Sequence, residues 1–324
     1  MKEKMEFLLT GGAGLIGSNF LSALNQMGFE KITVVDHLGS SSKWKNLVGK
    51  KFYDYYEKDQ FAKLLDSKKK FPFTHVIHLG ACSATTETNA SYLMENNFRF
   101  SVNLLEKSKK AFEKGKFLYA SSAATYGAGE NGYSDSIDID TLKPLNAYGY
   151  SKQIFDQYCL KRDYFQRILA LKYFNVYGFG EEHKGDMRSL VLKGYEQILQ
   201  TGKLKLFKSY KPEYADGEQR RDFLYVKDAV QMSLHLLFGN FSGIYNIGSG
   251  KTHTWNELAK ALFDSIGVEL NVEYVEMEEG LKSKYQYFTK SDTTKFEKTK
   301  YNIPLTDFTE SIKEYVALLN NTRN

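Results

Sequence analysis

Apolar positions along the chain follow two rhythms, one suited to buried strands and one to helices. Phe7-Leu8-Leu9 is a short continuous apolar run, as expected of a strand covered on both faces of a parallel sheet. Ile16, Phe20 and Leu24, with Leu21 and Met27, then repeat at helical spacing, and Gly28 is placed to end that helix. Lys31–Val35, Thr74–Leu79 and Lys116–Ala120 read as further strands. A helix from about Tyr92 carries Asn96 and Asn97, one of which could bond a neighbouring loop, and a helix opening at Tyr148 continues its apolar face through Ile154, Phe155 and Tyr158. Beyond these the pattern predicts a helix from about Met187 to Thr201, a strand Leu204–Phe207, a strand-to-helix junction over Arg220–Ala229, a last strand and turn over Ile244–Gly250, and helices at about 255–266 and 308–320. The order implies an α/β chain with a doubly wound parallel sheet and a smaller mixed α/β lobe. The boundaries are 1–174 and about 220–240 for the first unit, about 175–219 and 241–324 for the second.

A chain of 324 residues is long enough for two such cores, and 42% hydrophobic with 26% charged residues is ordinary for a globular protein. The net charge of +5 is mildly basic, but the lysines are scattered, and the one dense run, Lys68-Lys69-Lys70, reads as a solvated helix end. Nucleic acid is therefore not an expected partner. Two cysteines, Cys82 and Cys159, make no disulfide framework, and neither a signal peptide nor a bilayer-spanning run is present, so the expected location is the cytoplasm, away from membranes.

Chemistry concentrates first at Thr10–Gly17. Gly11, Gly14 and Gly17 permit a sharp turn and close backbone approach between strand and helix, and the free amides of the helix start favour a pyrophosphate. The second strand delivers Asp36, 19 residues past Gly17, near where an acid meets the adenosine ribose. This is the order of a dinucleotide site. In the polar loop after Asp36, Lys43 is either a partner for a 2′-phosphate or simply an exposed lysine. His75 and His78 are expected to share one face of their strand, with no carboxylate or cysteine spacing to complete a metal site, and are read as structural.

A second constellation follows the strand at 116–120. Tyr148 and Lys152, four apart on a helix, share a face, and Ser122 lies at a strand end beside them. A phenol with a reference pKa near 10 is a poor base unless a neighbour favours its anion, and Lys152 is expected to do so, helped by the charged nicotinamide of a bound oxidised cofactor. With Ser122 bonding the same oxygen, the set suits oxidation of an alcohol. Arg220 and Arg221 could grip a diphosphate, or one could form a surface ion pair with Asp222.

The glycine pattern, Ser122 and Tyr148-x-x-x-Lys152 resemble the extended short-chain dehydrogenase/reductase family, with its Rossmann-type sheet. More narrowly, the stretches 78–87, 121–127, 144–152, 173–178 and 183–187, with Leu281-Lys282-x-x-Tyr285-Gln286, resemble the ADP-L-glycero-D-manno-heptose 6-epimerases. The resemblance spans about residues 7–290. It implies transient oxidation at C6 of an ADP-heptose and return of the hydride to the other face, a step toward lipopolysaccharide inner-core heptose. Tyr148 would be one acid/base and Lys184 the second. Cofactor contacts implied are Leu15, Ile16, Asp36, His37, Lys43, Lys58, Leu79, Gly80, Ala81, Cys82, Ser83, Asn96, Lys152, Val176 and Lys184, added to Gly11, Gly14 and Gly17. Substrate contacts implied are Asn175, Asp186, Lys193, Phe207, Lys208, Ser209, Tyr210, Arg221 and Tyr285. The chain departs from the family at Leu79, His37, Asp186 and Lys193, where the family carries Glu, Asn, Ser and His.

Asp36 alone suggests NAD, whereas the family preference, with Lys43 and Lys58 as compensating charge, implies NADP. The resemblance also implies a homo-oligomer, in this family a pentamer. Ala123 and Ala124 stand where a dehydratase would place an acidic pair, which argues against dehydration. A 4-epimerase on the same fold and a non-catalytic, NADP-sensing protein are the competing readings.

Overall fold

The computed structural model describes residues 5–67, 71–113, 115–282 and 285–323; the Lys68-Lys69-Lys70 run lies outside them. Seven strands form the central sheet: β1 (Phe7–Thr10), β2 (Ile32–Asp36), β3 (Asp54–Glu57), β4 (His75–His78), β5 (Lys116–Ser122), β6 (Leu169–Tyr173) and a seventh, Gly243–Ile247. All pairings are parallel, and the order runs from Gly243–Ile247 through β6, β5, β4, β1 and β2 to β3. Strand order reverses between β1 and β4, and the crevice at their carboxyl ends is where a Rossmann-type sheet receives a ligand.

Each face of the sheet is covered by helices, so alternate residues of a strand serve different cores. Phe7 and Leu9 pack toward α1 (Leu15–Gln26) and the helix Val226–Phe238, while Leu8 packs toward α2 (Lys58–Asp66), α4 (Phe100–Phe112) and α5 (Ala147–Leu160). The short α3 (Ala90–Leu93) runs into α4 through a π-helical turn, Met94–Arg99. The same parity corrects the reading of His75 and His78. Three residues apart in a strand, they face opposite ways: His75 packs on Phe7 and Phe238, and His78 on Phe100 and Phe117.

After β6 the chain forms β7 (Asn175–Tyr177), α6 (Leu190–Thr201), β8 (Leu204–Phe207), β9 (Arg220–Arg221), β10 (Phe223–Tyr225), α7 (Val226–Phe238), which packs under the large sheet, β11 (Gly243–Ile247), the seventh strand above, β12 (His253–Thr254), α8 (Trp255–Ile266), β13 (Val272–Val275), the short α9 (Glu279–Lys282) and α10 (Thr294–Glu297), and α11 (Phe308–Arg323); apart from α7 and β11, most of these build the smaller lobe. Its core joins α6, α8 and α11 to Phe223 and Tyr225. Two expectations change here. The strand β11, assigned to the second lobe, hydrogen-bonds to β6 in the central sheet. The strand taken as last is followed by β12 and β13, the latter pairing in parallel with β8. The helix expected from Met187 starts at Leu190, where the Ser189 hydroxyl caps it, after a separate 3-10 turn over Glu182–Met187.

Candidate active site

One cleft of about 550 Å³ lies across the carboxyl ends of β1, β4 and β5. At its floor the backbone turns at Gly11, with φ of +71°, where a Cβ would stand 2.6 Å from the Gly80 nitrogen. A Cβ on Gly17 would lie 2.0 Å from the Gly11 oxygen, so α1 meets the turn backbone to backbone. Gly14 precedes α1 with no side-chain cap, leaving first-turn amides for a ligand. This cradle fits a dinucleotide pyrophosphate.

Asp36 closes one end of the cleft. Its buried carboxylate accepts from the Ala13 amide at 2.7 Å on one oxygen and from the His37 amide at 2.7 Å and the Lys43 ammonium on the other. Lys43 is therefore not a free surface lysine. Lys58 donates to Asn96 at 2.9 Å, and the exposed His37 ring faces Glu57 at 3.2 Å. Two consecutive asparagines on the π turn serve different sides, as neighbouring residues of a helix do. Asn97, buried, accepts from the Cys82 amide at 2.8 Å and donates to the Cys82 carbonyl at 2.9 Å and to the Ser151 hydroxyl at 2.9 Å, while Asn96 lines the cleft. Asn97 thus ties the Leu79–Ser83 loop to α5.

The Asn146 side chain caps α5 by accepting from the Gly149 amide at 2.8 Å, which starts the helix one residue before Tyr148. Tyr148, Lys152 and Ser122, the last residue of β5, line the cleft together, with Ser122 near enough to the phenol to favour its anion. Lys152 by itself does not acidify Tyr148: burial pushes the phenol above its ordinary value, and the nearby Ser122 opposes that only partly. The Lys152 ammonium donates to the Ala120 carbonyl at 2.9 Å, and burial brings its pKa down to about 8. Depression of Tyr148 is left to a charge brought by a ligand.

Lys184 also lines the cleft, on the 3-10 turn after β7. Burial lowers its pKa, against the pull of Glu181. Glu181 is itself fully buried and accepts from the Ser189 amide at 2.5 Å, the Ser189 hydroxyl at 2.6 Å, and the Tyr315 hydroxyl at 3.2 Å, pinning both ends of the turn. Asn46 spans the cleft's rim, donating to the Ala13 carbonyl at 2.9 Å and the Gly180 carbonyl at 2.8 Å. Asn46, Tyr92 and His183 had no assigned role from sequence. Tyr92 and His183 line the cleft. Asn46 carries no local signal, because its partners lie in two distant loops.

The four catalytic candidates and all the cofactor candidates, including Leu15, Ile16, Leu79, Ala81, Ser83 and Val176, line this cleft, but of the substrate candidates only Asn175 does. Lys193 donates to the Asp186 carbonyl at 3.2 Å. Lys208 to Tyr210 continue from β8, which ends at Phe207: Lys208 pairs with Glu276 at 2.7 Å, the Tyr210 hydroxyl donates to the same carboxylate, and the Ser209 amide donates to Asp216 at 2.7 Å. Arg221 is buried against the rings of Trp255 at 5.6 Å and Tyr285 at 5.4 Å, and Phe207 meets Tyr285 at 6.2 Å. Asp222 makes no surface ion pair with either arginine. It is fully buried, accepting from Ser249 and Ser291 through both amides and both hydroxyls, and from the Gly250 amide. Among the described residues no three His, Cys, Asp or Glu side chains gather to hold a metal, and no helix is long and apolar enough to cross a membrane.

Comparison with known proteins agrees with this geometry. ADP-L-glycero-D-manno-heptose-6-epimerase of Nitratidesulfovibrio vulgaris (strain DP4) is 46% identical over 314 residues, 96% of each chain. The protein of that name from Fusobacterium nucleatum subsp. nucleatum is 43% identical over 321 residues, 95% of this chain and 96% of that one. The crystal structure of the Helicobacter pylori ADP-L-glycero-D-manno-heptose-6-epimerase superposes with a TM-score of 0.80 at 28% identity, covering 99% of this chain and 98% of that one. Residues 7–248 match the profile described as the NAD dependent epimerase/dehydratase family. With a parallel sheet, a glycine cradle and a Ser-Tyr-Lys set in one nicotinamide-dinucleotide cleft, the chain belongs to that family.

Proposed function

We propose that the protein is an isomerase that inverts C6 of ADP-D-glycero-D-manno-heptose to give the L-glycero epimer, with NADP as its resident cofactor. The observation that carries this reading is that two proton-transfer groups on separate elements, Tyr148 on α5 and Lys184 on the turn after β7, line one cleft with the dinucleotide cradle. Inversion needs the substrate hydroxyl handled in two orientations, and two such groups meet that need.

A bound nicotinamide supplies a reversible hydride acceptor. Ser122 donates to the reacting oxygen and holds it beside Tyr148. In one orientation of the sugar Tyr148 removes the C6 hydroxyl proton; in the other Lys184 returns a proton to the carbonyl oxygen. Burial lowers the Lys184 pKa, enlarging its neutral fraction near pH 7, so it can accept as well as donate. Lys152 adds positive charge on the Tyr148 face. The NADP choice draws support from Asp36, whose two oxygens are already engaged by Ala13, His37 and Lys43. A carboxylate so neutralised repels a 2′-phosphate far less, and Lys43 and Lys58 stand near to receive one.

Arg221, with Trp255 and Tyr285, is read as the grip on the nucleotide part of the substrate. The unpaired Cys82 and Cys159 suit a reducing cytoplasm, where the enzyme works as a homo-oligomer. The test is an NMR time course of ADP-heptose with purified protein and no added cofactor. Inversion at C6, with UDP-sugars unchanged at C4, is expected; turnover of the UDP-sugars alone would overturn the assignment in favour of a 4-epimerase.

A further inference from the structure

Consecutive residues of β5 are tied to one face of α5. Tyr148, Lys152 and Asp156 recur at every fourth position, so their side chains stack along the helix. Ser122 lines the cleft beside Tyr148, the Ala120 carbonyl accepts from Lys152 at 2.9 Å, and the Ser121 hydroxyl donates to Asp156 at 2.8 Å. Asp156 has no solvent exposure. It also accepts from the Tyr119 hydroxyl at 2.7 Å and from the ammonium of Lys172 at 2.6 Å.

Lys172 lies on β6, opposite Ser121 in the strand register, and is 1% exposed. Its second bond goes to the Thr125 hydroxyl at 2.7 Å, and Thr125 in turn donates to the Ser122 carbonyl at 2.8 Å. Neither Asp156 nor Lys172 lines the cleft. Asp156 holds Ser121, the neighbour of Ser122, directly, and Lys172 reaches Ser122 through Thr125.

We infer that Asp156 and Lys172 are positioning residues, a buried charge pair that sets Ser122 against Tyr148 and keeps Lys152 cationic. The inference rests on the reading of Ser122, Tyr148 and Lys152 as site residues. A pair that is neutral overall still acts on a third charge when its members stand at unequal separation. Asp156 is one turn along the helix from Lys152, whereas Lys172 is on β6, and of the two Asp156 acts the more strongly on the Lys152 charge. The titratable groups about Lys152 are His78 on β4, Cys82 after it, Tyr148 and Asp156 on α5, and Lys172 on β6. His78 is held neutral by burial. Asp156 comes before Cys82 among the groups that favour the Lys152 cation.

The test compares Asp156→Asn, Lys172→Met, the double variant and Lys172→Arg with wild type. The side-chain ¹³Cε resonance of Lys152, assigned with Lys152→Met, is titrated in each cofactor-bound protein, and the basic limb of the epimerisation pH profile is recorded beside it. Asp156→Asn leaves a lone cation and shifts both readings down by about one pH unit; Lys172→Met leaves a lone anion and shifts them up by a similar amount. The double variant falls between wild type and Asp156→Asn, and Lys172→Arg stays at wild type. Shifts of the two single variants in the same direction, or no shift in either, overturn the inference. Thermal melts show which variants fold. Should the single variants not fold, the double variant, which buries no lone charge, decides: a Lys152 titration at or above wild type overturns the inference. The resonance needs no turnover, so a failed epimerase assay counts against the proposed reaction while the titration still tests the pair.

Discussion

Acid should unfold this protein partly through His78. The Gly80 amide donates to the Thr10 hydroxyl at 3.1 Å, Thr10 meets His78 Nδ1 at 2.6 Å, and His78 Nε2 meets the Ser101 hydroxyl at 2.8 Å. Ser101 gives its own hydrogen to the Asn97 carbonyl, so it must accept from Nε2, and Nδ1 must accept from Thr10. The ring is thus a directed link between the cleft loop at Gly80 and the π turn at Asn97, and protonation at Nδ1 reverses one of its bonds. Burial brings the His78 pKa from 6.5 to about 3. A folded value below the unfolded one means stability is complete above about pH 6.5 and is lost as pH falls. Between pH 7 and pH 5 the loss is about 2 kcal/mol for one such histidine.

His75, with a pKa near 4, acts in the same direction, while Asp135 and Asp228, raised by burial, act oppositely. The clean observable is therefore a difference between variants. At about 2.1 cal/mol/K of unfolding entropy per residue over 324 residues, 2 kcal/mol corresponds to about 3 °C. Lowering the pH from 7 to 5 should drop the Tm of wild type about 3 °C further than that of His78→Gln, measured by scanning calorimetry. Parallel Tm-against-pH curves for the two proteins would refute the reasoning.

Other outcomes follow from single contacts. Gly17→Ala puts a methyl 2.0 Å from the Gly11 oxygen, so α1 must move off the turn and dinucleotide affinity measured by calorimetry should fall at least about tenfold, about 1.4 kcal/mol. Asp222→Asn turns one acceptor oxygen of a fully buried carboxylate into a donor facing amide donors, and should destabilise the fold by about 2 to 3 kcal/mol in urea. Tyr148→Phe and Lys184→Met should each slow epimerisation by about 10² or more while retaining cofactor, seen as unchanged absorbance of the purified protein; normal turnover by Lys184→Met would remove it from the mechanism.

Much of the fold was legible because the strands of a parallel sheet are buried on both faces and so read as unbroken apolar runs, as Phe7–Leu9 does. Tyr148 and Lys152 were legible because helical spacing alone brings them together. What was not legible depends on distant pairing. The strand Gly243–Ile247 looks the same whether it joins β6 or a second lobe, and only its hydrogen bonds decide. The acidity of Tyr148 could not be read from its spacing to Lys152, because spacing does not show the burial that pushes the phenol above its ordinary value. Asp222 beside two arginines suggests an ion pair, yet its partners, Ser249, Gly250 and Ser291, come from segments far along the chain. Asn46 has no spacing signal at all.

The central claim is that Tyr148 and Lys184 serve one sugar carbon through a hydride that never leaves the protein. ADP-heptose carrying deuterium at C6, incubated with the purified enzyme in ordinary water, tests it most directly by NMR and mass spectrometry. The account predicts that the C6-inverted product keeps its deuterium. Loss of the label to solvent at the rate of inversion would contradict it.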